Sequence, residues 1–373
     1  MSGLTLQLLP TPYKAPVTIV LPIVKNITVG LADNDLYLVN PKIDKKPYQY
    51  PYMPPYEGAV ETAPDCLHLD SMDVGSPQYC ATDLYATARF VLSLWENYLG
   101  HTINWWFSDY YPRLELIPRV DSNNAHCGFG YLETGYSRVD GTPFALNFDV
   151  IAHEMGHHIV YSELGIPKSG TDEHYYLAFH EAIADATALL GLLHFDTILD
   201  EVLISTSGNL YTHNLISRIG KLNPDDKQIR IAPNIATMSA VISAQRPMKT
   251  ARPLLGMFYD LLVMIFQRLL LCKGIIGYHL AAAAYVITAF PSEELQRLFD
   301  DAYHTQGHQA FRETLVTARD QLGHWLAYVL IHLDADNLTF LEVVEALIAA
   351  DYQISDGNYA DVISFCARYR EIT

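Results

Sequence analysis

The residues best suited to chemistry stand in the segment FDVIAHEMGHH, residues 148–158, which contains the pattern H-E-x-x-H. His153 and His157 are four residues apart, so on a helix both imidazoles lie on one face and can reach one metal ion. Glu154 is about 100° further round the helix, where its carboxylate can reach a metal-bound water without binding the ion. The alternative is that the two histidines only make hydrogen bonds, because so short a pattern also occurs by chance.

A catalytic zinc ion needs a third protein ligand and an open fourth position. The candidate is Glu181, in the apolar segment LAFHEAIADATALLG (177–191), which follows a turn rich in glycine and proline. A carboxylate among alanines is costly to bury unless it is paired or binds a metal. Asp185 lies on the same face and suits an acceptor for the N–H of a ligand imidazole. The alternative is a solvated acidic stripe, but the combined pattern predicts Zn²⁺ as cofactor.

The pair HEMGH and HEAIAD resembles the gluzincin metallopeptidases of the thermolysin and fungalysin type, whose signature is H-E-x-x-H followed on the next helix by E-x-x-x-D. The resemblance covers about residues 80–365 and extends to the closing helices of bacterial gluzincin-like proteins. It implies a zinc-dependent endopeptidase with a zincin-like fold. His153, His157 and Glu181 would bind zinc, Glu154 would be the general base, and Asp185 would support the ligands from behind.

The segment DSNNAHCGFGYLETG (121–135) resembles the edge strand of the same family, in which an Asn-Ala pair binds the substrate backbone. Asn124 and Ala125 would take these roles. An exposed edge strand can bind an extended peptide as an added strand. The alternative for these three letters, NNA, is a simple turn.

One part of the family pattern is missing. Thermolysin-like enzymes place a histidine, which stabilises the oxyanion, shortly before a helix led by glycine. In KTARPLLGMFYDLL (249–262) the corresponding residue is Arg252, four residues before Gly256. An arginine is always cationic and rich in donors, so it can stabilise an oxyanion, or it can serve as a structural pair. Tyr259 and His279 are further candidates for this role.

The missing histidine supports a rival function, a zinc-containing protein that binds a peptide or a partner without cleaving it. The presence of Glu154 disfavours this rival, because zinc binding alone does not require that residue. A purely structural zinc domain is a weaker alternative, since structural zinc is usually enclosed by four protein ligands.

Charge and hydropathy indicate which classes of partner the protein binds. The chain has 373 residues and a formal net charge of −18, which argues against a nucleic-acid partner because phosphate neutralisation needs clustered Lys and Arg. The apolar tracts 254–266 and 275–290 are shorter than the ~20 residues that span a bilayer, so both are predicted to be buried helices. We therefore expect a peptide or protein substrate, with no nucleic acid and no membrane.

The compartment is predicted from the N-terminus and the cysteines. The start MSGLTLQLLPTPYKAP has neither the basic region nor the long apolar region of a secretory signal. The five cysteines are scattered without a C-x-x-C pair, which favours neither a disulfide framework nor a zinc–thiolate site. A reducing, cytoplasmic location follows as an expectation.

The remaining patterns place these residues in an α+β chain, with a β-rich N-terminal lobe, a mainly helical C-terminal lobe and the H-E-x-x-H helix at the seam. Residues 1–75 are an N-terminal extension of strands and loops, 76–165 the N-terminal lobe, and 166–373 the C-terminal lobe carrying the third ligand. Helices are predicted at 82–99 and 149–162, strands within 103–148, and a capping box from Thr339 to Glu342. The Pro- and Tyr-rich segment 45–58 is predicted to be an extended surface connection rather than a polyproline recognition segment.

Overall fold

The computed structural model describes residues 4–9, 15–21, 30–41, 45–49, 53–56, 60–61, 69–168, 170–219, 230–241, 243, 246–284 and 292–372. The protein is a mixed α+β structure, about 59% helical with a small β-sheet part. It forms two compact units, of which the first runs to Glu163 and the second begins at Leu164.

The first unit contains two long helices and, among the described residues, strands β1 to β8. Its helices are α1 (Pro77–Leu99) and α2 (Phe148–Glu163), and its strands are β1 (Leu4–Leu8), β2 (Val17–Leu21), β3 (Leu36–Leu38), β4 (Asn40–Pro41), β5 (Val60–Glu61), β6 (Leu114–Ile117), β7 (Ala125–Gly128) and β8 (Tyr131–Thr134). The four-stranded sheet has the order β3-β6-β8-β7. Strands β3, β6 and β8 are parallel, while β7 runs antiparallel to β8. Strand β7 is therefore an edge of this sheet, as the sequence predicts.

Helix α1 begins five residues earlier than its periodicity predicts. Ser76 is its N-cap and accepts a hydrogen bond from the backbone N–H of Tyr79, and Pro77 occupies the first turn, where its missing N–H costs nothing. The predicted end is confirmed, because Gly100 adopts φ 76° and its N–H donates to Glu96 O. Asp83, in the second turn of the helix, is buried and accepts a hydrogen bond of 2.7 Å from Leu9 N.

The Pro- and Tyr-rich segment, described at residues 45–49 and 53–56, is only in part a surface connection: Lys46, Gln49 and Pro55 are exposed, whereas Lys45 and Pro54 are buried. Lys45 is buried and pairs with the buried Glu133 of β8, and Tyr48 N donates to the same carboxylate. Glu115, on the neighbouring strand β6, accepts from Tyr56 N at 3.0 Å and from the Tyr48 hydroxyl. Two carboxylates that the sheet buries thus require polar partners, and this segment supplies them. The residues between these ranges lie outside the described part of the chain.

The second unit is mainly helical. Its elements are α3 (His174–Leu192), α4 (Asp196–Thr206), β9 (Arg218–Ile219), β10 (Arg230–Ile231), α5 (Met238–Val241), α6 (Pro247–Cys272), α7 (Tyr278–Ala284), α8 (Glu293–Gln306), α9 (His308–His332), α10 (Phe340–Ser355) and α11 (Ala360–Tyr369). The predicted capping box is confirmed at the start of α10, where Glu342 N donates to the Thr339 hydroxyl and Thr339 N to the Glu342 carboxylate.

Helix α6 is the core helix of this unit. It is long and apolar enough to cross a membrane, as is the bent pair of α3 and α4 taken together, but 83% of its most apolar window is buried inside the protein. The tract 254–266 is thus a buried helix, as predicted. The tract 275–290 is only partly so: α7 begins at Tyr278 and exposes its first residues, and residues 285–290 lie outside the described range.

A buried ion pair joins α6 to the C-terminus. Arg370 and Asp260 are both fully buried, and the Nε and Nη2 atoms of Arg370 lie 2.8 and 2.6 Å from Asp260 Oδ2. The hydroxyl of Tyr211 donates to the other oxygen of Asp260 at 3.0 Å. Gly256 makes room for this pair, because a Cβ there would lie 2.6 Å from Arg370 Cζ. This glycine therefore has a packing reason of its own, separate from the family pattern.

Removing one member of this pair should be costly, because the other charge stays buried without a partner. We expect Arg370→Met to lower the free energy of unfolding by about 3–5 kcal/mol, measured by urea denaturation. Arg368→Met is the matched control on the exposed face of α11 and should change it by less than about 0.5 kcal/mol. Adding Asp260→Leu to Arg370→Met should recover part of the loss. An Arg370→Met protein as stable as the control would refute the assignment.

Asp83 should make stability depend on pH. Its burial raises the pKa of the carboxyl to about 8, against a smaller lowering by the N–H of Leu9. The folded state therefore holds a proton that the unfolded chain releases near pH 4. Stability from this group is complete below pH 4 and is lost as pH rises toward 8, by up to about 1.4 kcal/mol per pH unit. Asp83→Asn should remove this slope, whereas the exposed Asp73→Asn should keep it. Equal slopes in both variants would contradict the assignment.

Candidate metal centre

Helix α2 is fixed in its rotation by its buried face. Asn147 precedes it and accepts hydrogen bonds from Ile151 N, through its backbone oxygen, and from Val150 N, through its side chain. His158 is fully buried, and its Nε2 lies 3.0 Å from the backbone oxygen of Tyr131 in β8. Burial lowers the pKa of His158 to about 4, so the ring is neutral at pH 7. His158 is thus a polar neighbour in the core, as the helical geometry predicts.

His157, the residue before His158, lies close to His153 instead. The Nε2 atoms of His157 and His153 are 3.1 Å apart, and their rings are nearly perpendicular. Two ligands at 2.0–2.1 Å from a tetrahedral zinc ion are separated by about 3.3 Å. The spacing of the two nitrogens therefore fits a shared ion.

Glu154 lies beside this pair but is held by a different element. Its Oε2 accepts a hydrogen bond of 2.9 Å from the backbone N–H of Cys127, on the edge strand β7. An accepted N–H bond favours the ionised carboxylate and fixes its orientation. A carboxylate held in this way is available to accept a proton from a water, the role that the sequence assigns to it.

In the second unit, Glu181 and Asp185 are one turn apart on α3 and share one cation. Arg230, on β10, places Nη1 at 3.0 Å from Glu181 Oε2 and Nε at 2.8 Å from Asp185 Oδ1. Burial raises the pKa of Asp185 to about 7, and Arg230 opposes this increase. Burial also raises the pKa of Glu181, where Arg230 again acts in the opposite direction and Asp185 adds to the increase.

Sequence reasoning missed Arg230. The signal for it was indirect: two carboxylates on one face of an apolar helix require a cation as well as a metal. No pattern around QIRIAP identifies which basic residue supplies the charge.

The three predicted ligands are divided between the two units: His153 and His157 lie on α2 of the first unit, and Glu181 lies on α3 of the second. His153 is buried and the other two are partly buried. Two imidazoles and one carboxylate are the donor types of a catalytic zinc site. The residues present therefore fit a zinc ion.

The predicted substrate residues lie at the edge of the sheet. Ala125 opens β7, is buried and pairs with Thr134 of β8. Asn124 precedes it, has an exposed side chain, and its backbone oxygen accepts from Gly135 N at 2.9 Å. Gly135 is needed there, because a Cβ would lie 2.0 Å from the backbone oxygen of Ser122. That these residues bind substrate stays a prediction.

The three candidates for stabilising the oxyanion differ in their burial. Tyr259 is fully buried in the second unit, where its hydroxyl donates to Leu210 O at 2.6 Å and accepts from Asn214 Nδ2 at 3.2 Å. This hydroxyl stabilises the core and is not available for chemistry. His279 is exposed on α7, and Arg252 is exposed near the start of α6. Among the described residues no carboxylate forms an ion pair with Arg252, so the structural pairing considered for it is not found there.

Comparison with known proteins supports the fold. The structure is similar to the precursor of protealysin, a metalloproteinase from Serratia proteamaculans, with a TM-score of 0.54 and 14% sequence identity. The similarity covers 94% of this chain and 91% of that chain. No protein-family model matches the sequence, and no curated protein matches it. The chain therefore has a metalloproteinase-type fold, similar to that of this precursor at low identity.

The metal assignment predicts zinc content. The purified protein should carry about one zinc ion per chain, and His153→Ala or Glu181→Ala should abolish stoichiometric binding, measured by atomic emission after gel filtration. His174→Ala is a control on α3, where this histidine bonds the Thr250 hydroxyl instead, and it should retain the metal. Unchanged zinc in both ligand variants would exclude the assignment.

Proposed function

We propose that this protein is a zinc-dependent endopeptidase. The observation that carries the proposal is the arrangement on α2, where two imidazole nitrogens lie 3.1 Å apart beside a carboxylate that the edge strand holds by one N–H. The E-x-x-x-D pattern, which puts Glu181 on the helix that follows α2, supports a third ligand. The metalloproteinase-type fold is consistent with this chemistry.

In the proposed reaction, different residues bind the metal, transfer the proton and bind the substrate. His153, His157 and Glu181 would hold the zinc ion, which when bound polarises a carbonyl and lowers the pKa of a water. Glu154 accepts the proton from the attacking water and delivers it to the leaving amine. Asn124 and Ala125 bind the peptide as an added strand at the edge of the sheet.

Asp185 and Arg230 position the third ligand. Zinc binds the ionised carboxylate, and burial acts against ionisation of Glu181. The guanidinium of Arg230 offsets part of this cost and holds the carboxylate from one side. Asp185 in turn holds the guanidinium through Nε, and in the proposal it also supports a ligand imidazole.

The proposed compartment is reducing and cytoplasmic. The four described cysteines form no disulfide, in agreement with a fold that does not depend on disulfides; they are Cys80, Cys127, Cys272 and Cys366. The proposed substrate is a peptide or protein, with neither nucleic acid nor membrane as partner.

Replacement of Glu154 tests the proposed mechanism. Glu154→Gln keeps the shape of the side chain and its bond from Cys127 N but cannot take the proton. It should retain zinc and lose about 10²–10⁴-fold in kcat on fluorescein-labelled casein. Glu163→Gln, on the same helix but bonded to His101, is the matched control and should keep full activity. A Glu154→Gln protein that cleaves as fast as wild type would remove this residue from the mechanism.

Substitution of Arg252, together with an assay of cleavage, distinguishes the proposed endopeptidase from a protein that binds peptide without cleaving it. If its guanidinium replaces the missing histidine, Arg252→Ala should lower kcat by about 10²–10³ with little change in thermal stability, and Arg252→Lys should recover only part of the loss. Arg246→Ala, just before α6, serves as the control for loss of a cation. A zinc-loaded protein that binds casein but shows no cleavage above a chelated sample would favour the rival function.

A further inference from the structure

A cluster of aromatic side chains lies at the end of the edge strand β7, within the first unit. Its centre is Phe129, in the turn between β7 and β8. The ring centroid of Phe129 lies 4.9, 6.1, 5.4 and 5.8 Å from those of Trp106, Phe107, Tyr110 and Tyr111, respectively. Tyr161, near the end of α2, joins this aromatic cluster through Trp106, whose ring centroid is 4.8 Å away.

The aromatic cluster is exposed on one side. Trp106 and Phe129 are half-buried and Tyr110 is 75% exposed, whereas Phe107 is fully buried. The rings of Trp106, Phe107, Tyr110 and Tyr111 meet that of Phe129 at 67–81°, close to the edge-to-face arrangement that aromatic pairs prefer. A further ring can pack on the exposed side in the same way.

Anchoring of the turn explains only part of the aromatic cluster. Tyr111 packs so closely on the turn that a Cβ at Gly130 would lie 2.6 Å from its ring. The exposed Tyr110 contributes little to such anchoring, because it removes little apolar surface from water. Exposed apolar side chains in a contiguous patch are typical of a binding site.

Strand β7 brings the aromatic cluster next to the proposed base. The N–H of Gly135 donates to Asn124 O at 2.9 Å, and in an antiparallel ladder such bonded pairs alternate with pairs whose backbone groups point away. The backbone groups of Ala125 and Cys127 therefore point away from β8. The N–H of Cys127 agrees with this, since it donates to Glu154. An added peptide strand would pair with these two residues.

The direction of such a peptide follows from the sheet. The proposed base, Glu154, lies at Cys127, so the scissile bond belongs at this point of β7. Phe129 is two residues further on, at most about 7 Å along the chain. A peptide that pairs antiparallel runs in the opposite direction to β7, so its N-terminal part extends toward Phe129. The second or third residue before the scissile bond then reaches the aromatic cluster.

We propose that the aromatic cluster is a subsite for an aromatic side chain of the substrate, on the second or third residue before the scissile bond. This inference rests on the proposed endopeptidase function and gives it a substrate class, peptides with Phe, Tyr or Trp at that position. The incoming ring packs on Phe129 and Tyr110. A charged side chain is disfavoured, because the rings of the cluster offer it no counter-charge for its lost hydration.

The preference is tested with the zinc-loaded full chain and a library of decapeptides, whose cleavage sites are identified by mass spectrometry. Wild type should cleave bonds with Phe, Tyr or Trp two or three residues before them about tenfold faster than matched bonds with Ala there. Phe129→Ala should remove most of this preference. Tyr110→Ala should reduce it about threefold, without disturbing the core. Tyr278→Ala removes a ring on α7 that is 74% exposed and should leave the preference unchanged.

A binding measurement separates this inference from the endopeptidase itself. In the zinc-loaded Glu154→Gln background, where cleavage is suppressed, a fluorescent decapeptide of Gly, Ser and Ala with one Phe is compared with its Phe-free counterpart by anisotropy. The Phe peptide should bind about tenfold more tightly, and adding Phe129→Ala or Tyr110→Ala should lower this ratio.

The outcomes assign failure to one proposal or the other. Phe-dependent binding that needs Phe129 and Tyr110, in a protein whose wild type cleaves no peptide, would refute the endopeptidase and keep the subsite. Cleavage without an aromatic preference before the bond, with such a preference only after it, or with the same preference in both cluster variants as in wild type would overturn the subsite alone. Neither cleavage nor Phe-dependent binding would overturn both.

Discussion

The candidate site depends on the rotation of one helix. Because residues of α2 advance by about 100° each, burial of His158 against Tyr131 of β8 sets the direction of the neighbouring His157, whose ring lies against that of His153 one turn earlier. The bond from Cys127 N fixes Glu154 from the edge strand. The packing of one face of α2 thus orients the two proposed ligands, and the edge strand orients the proposed base.

Buried carboxylates need hydrogen-bond donors or cations as partners. The two units bury several carboxylates, and different residues supply the partners of each. Glu115 and Glu133 receive donors from the segment 45–56, and Asp260 receives Arg370. Asp185 and Glu181 share Arg230. Among these, Glu181 keeps partial exposure, which suits the proposed role of metal ligand.

The sequence predicted the parts of the site that follow from local periodicity. The spacing of His153, Glu154 and His157 is a helical pattern, and the structure places all three on α2. The edge position of β7 also followed from the sequence. Arg230 could not be found, since a cation from a distant strand leaves no local signal. The contacts of Lys45, Tyr48 and Tyr56 were missed for a related reason: the carboxylates that these residues contact lie on strands far along the chain.

Other errors arose where a capping residue or a tertiary contact overrode periodicity. The start of α1 was set by Ser76 and Pro77, outside the periodic stretch. Gly256 matched a family motif, yet its place is explained by the guanidinium of Arg370, which comes from the end of the chain. Tyr259 was a chemical candidate on residue type alone and proved to be a buried partner of Leu210. Residue type indicates what a side chain can do, and burial decides whether it does so.

A crystal structure with anomalous diffraction recorded on both sides of the zinc absorption edge tests the central claim most directly. The account predicts one zinc peak, about 2.0–2.1 Å from the Nε2 atoms of His153 and His157 and about 2.0–2.2 Å from a carboxylate oxygen of Glu181, with no fourth protein ligand. A zinc-loaded crystal with no peak at these three residues, or with a fourth protein side chain closing the site, would contradict it.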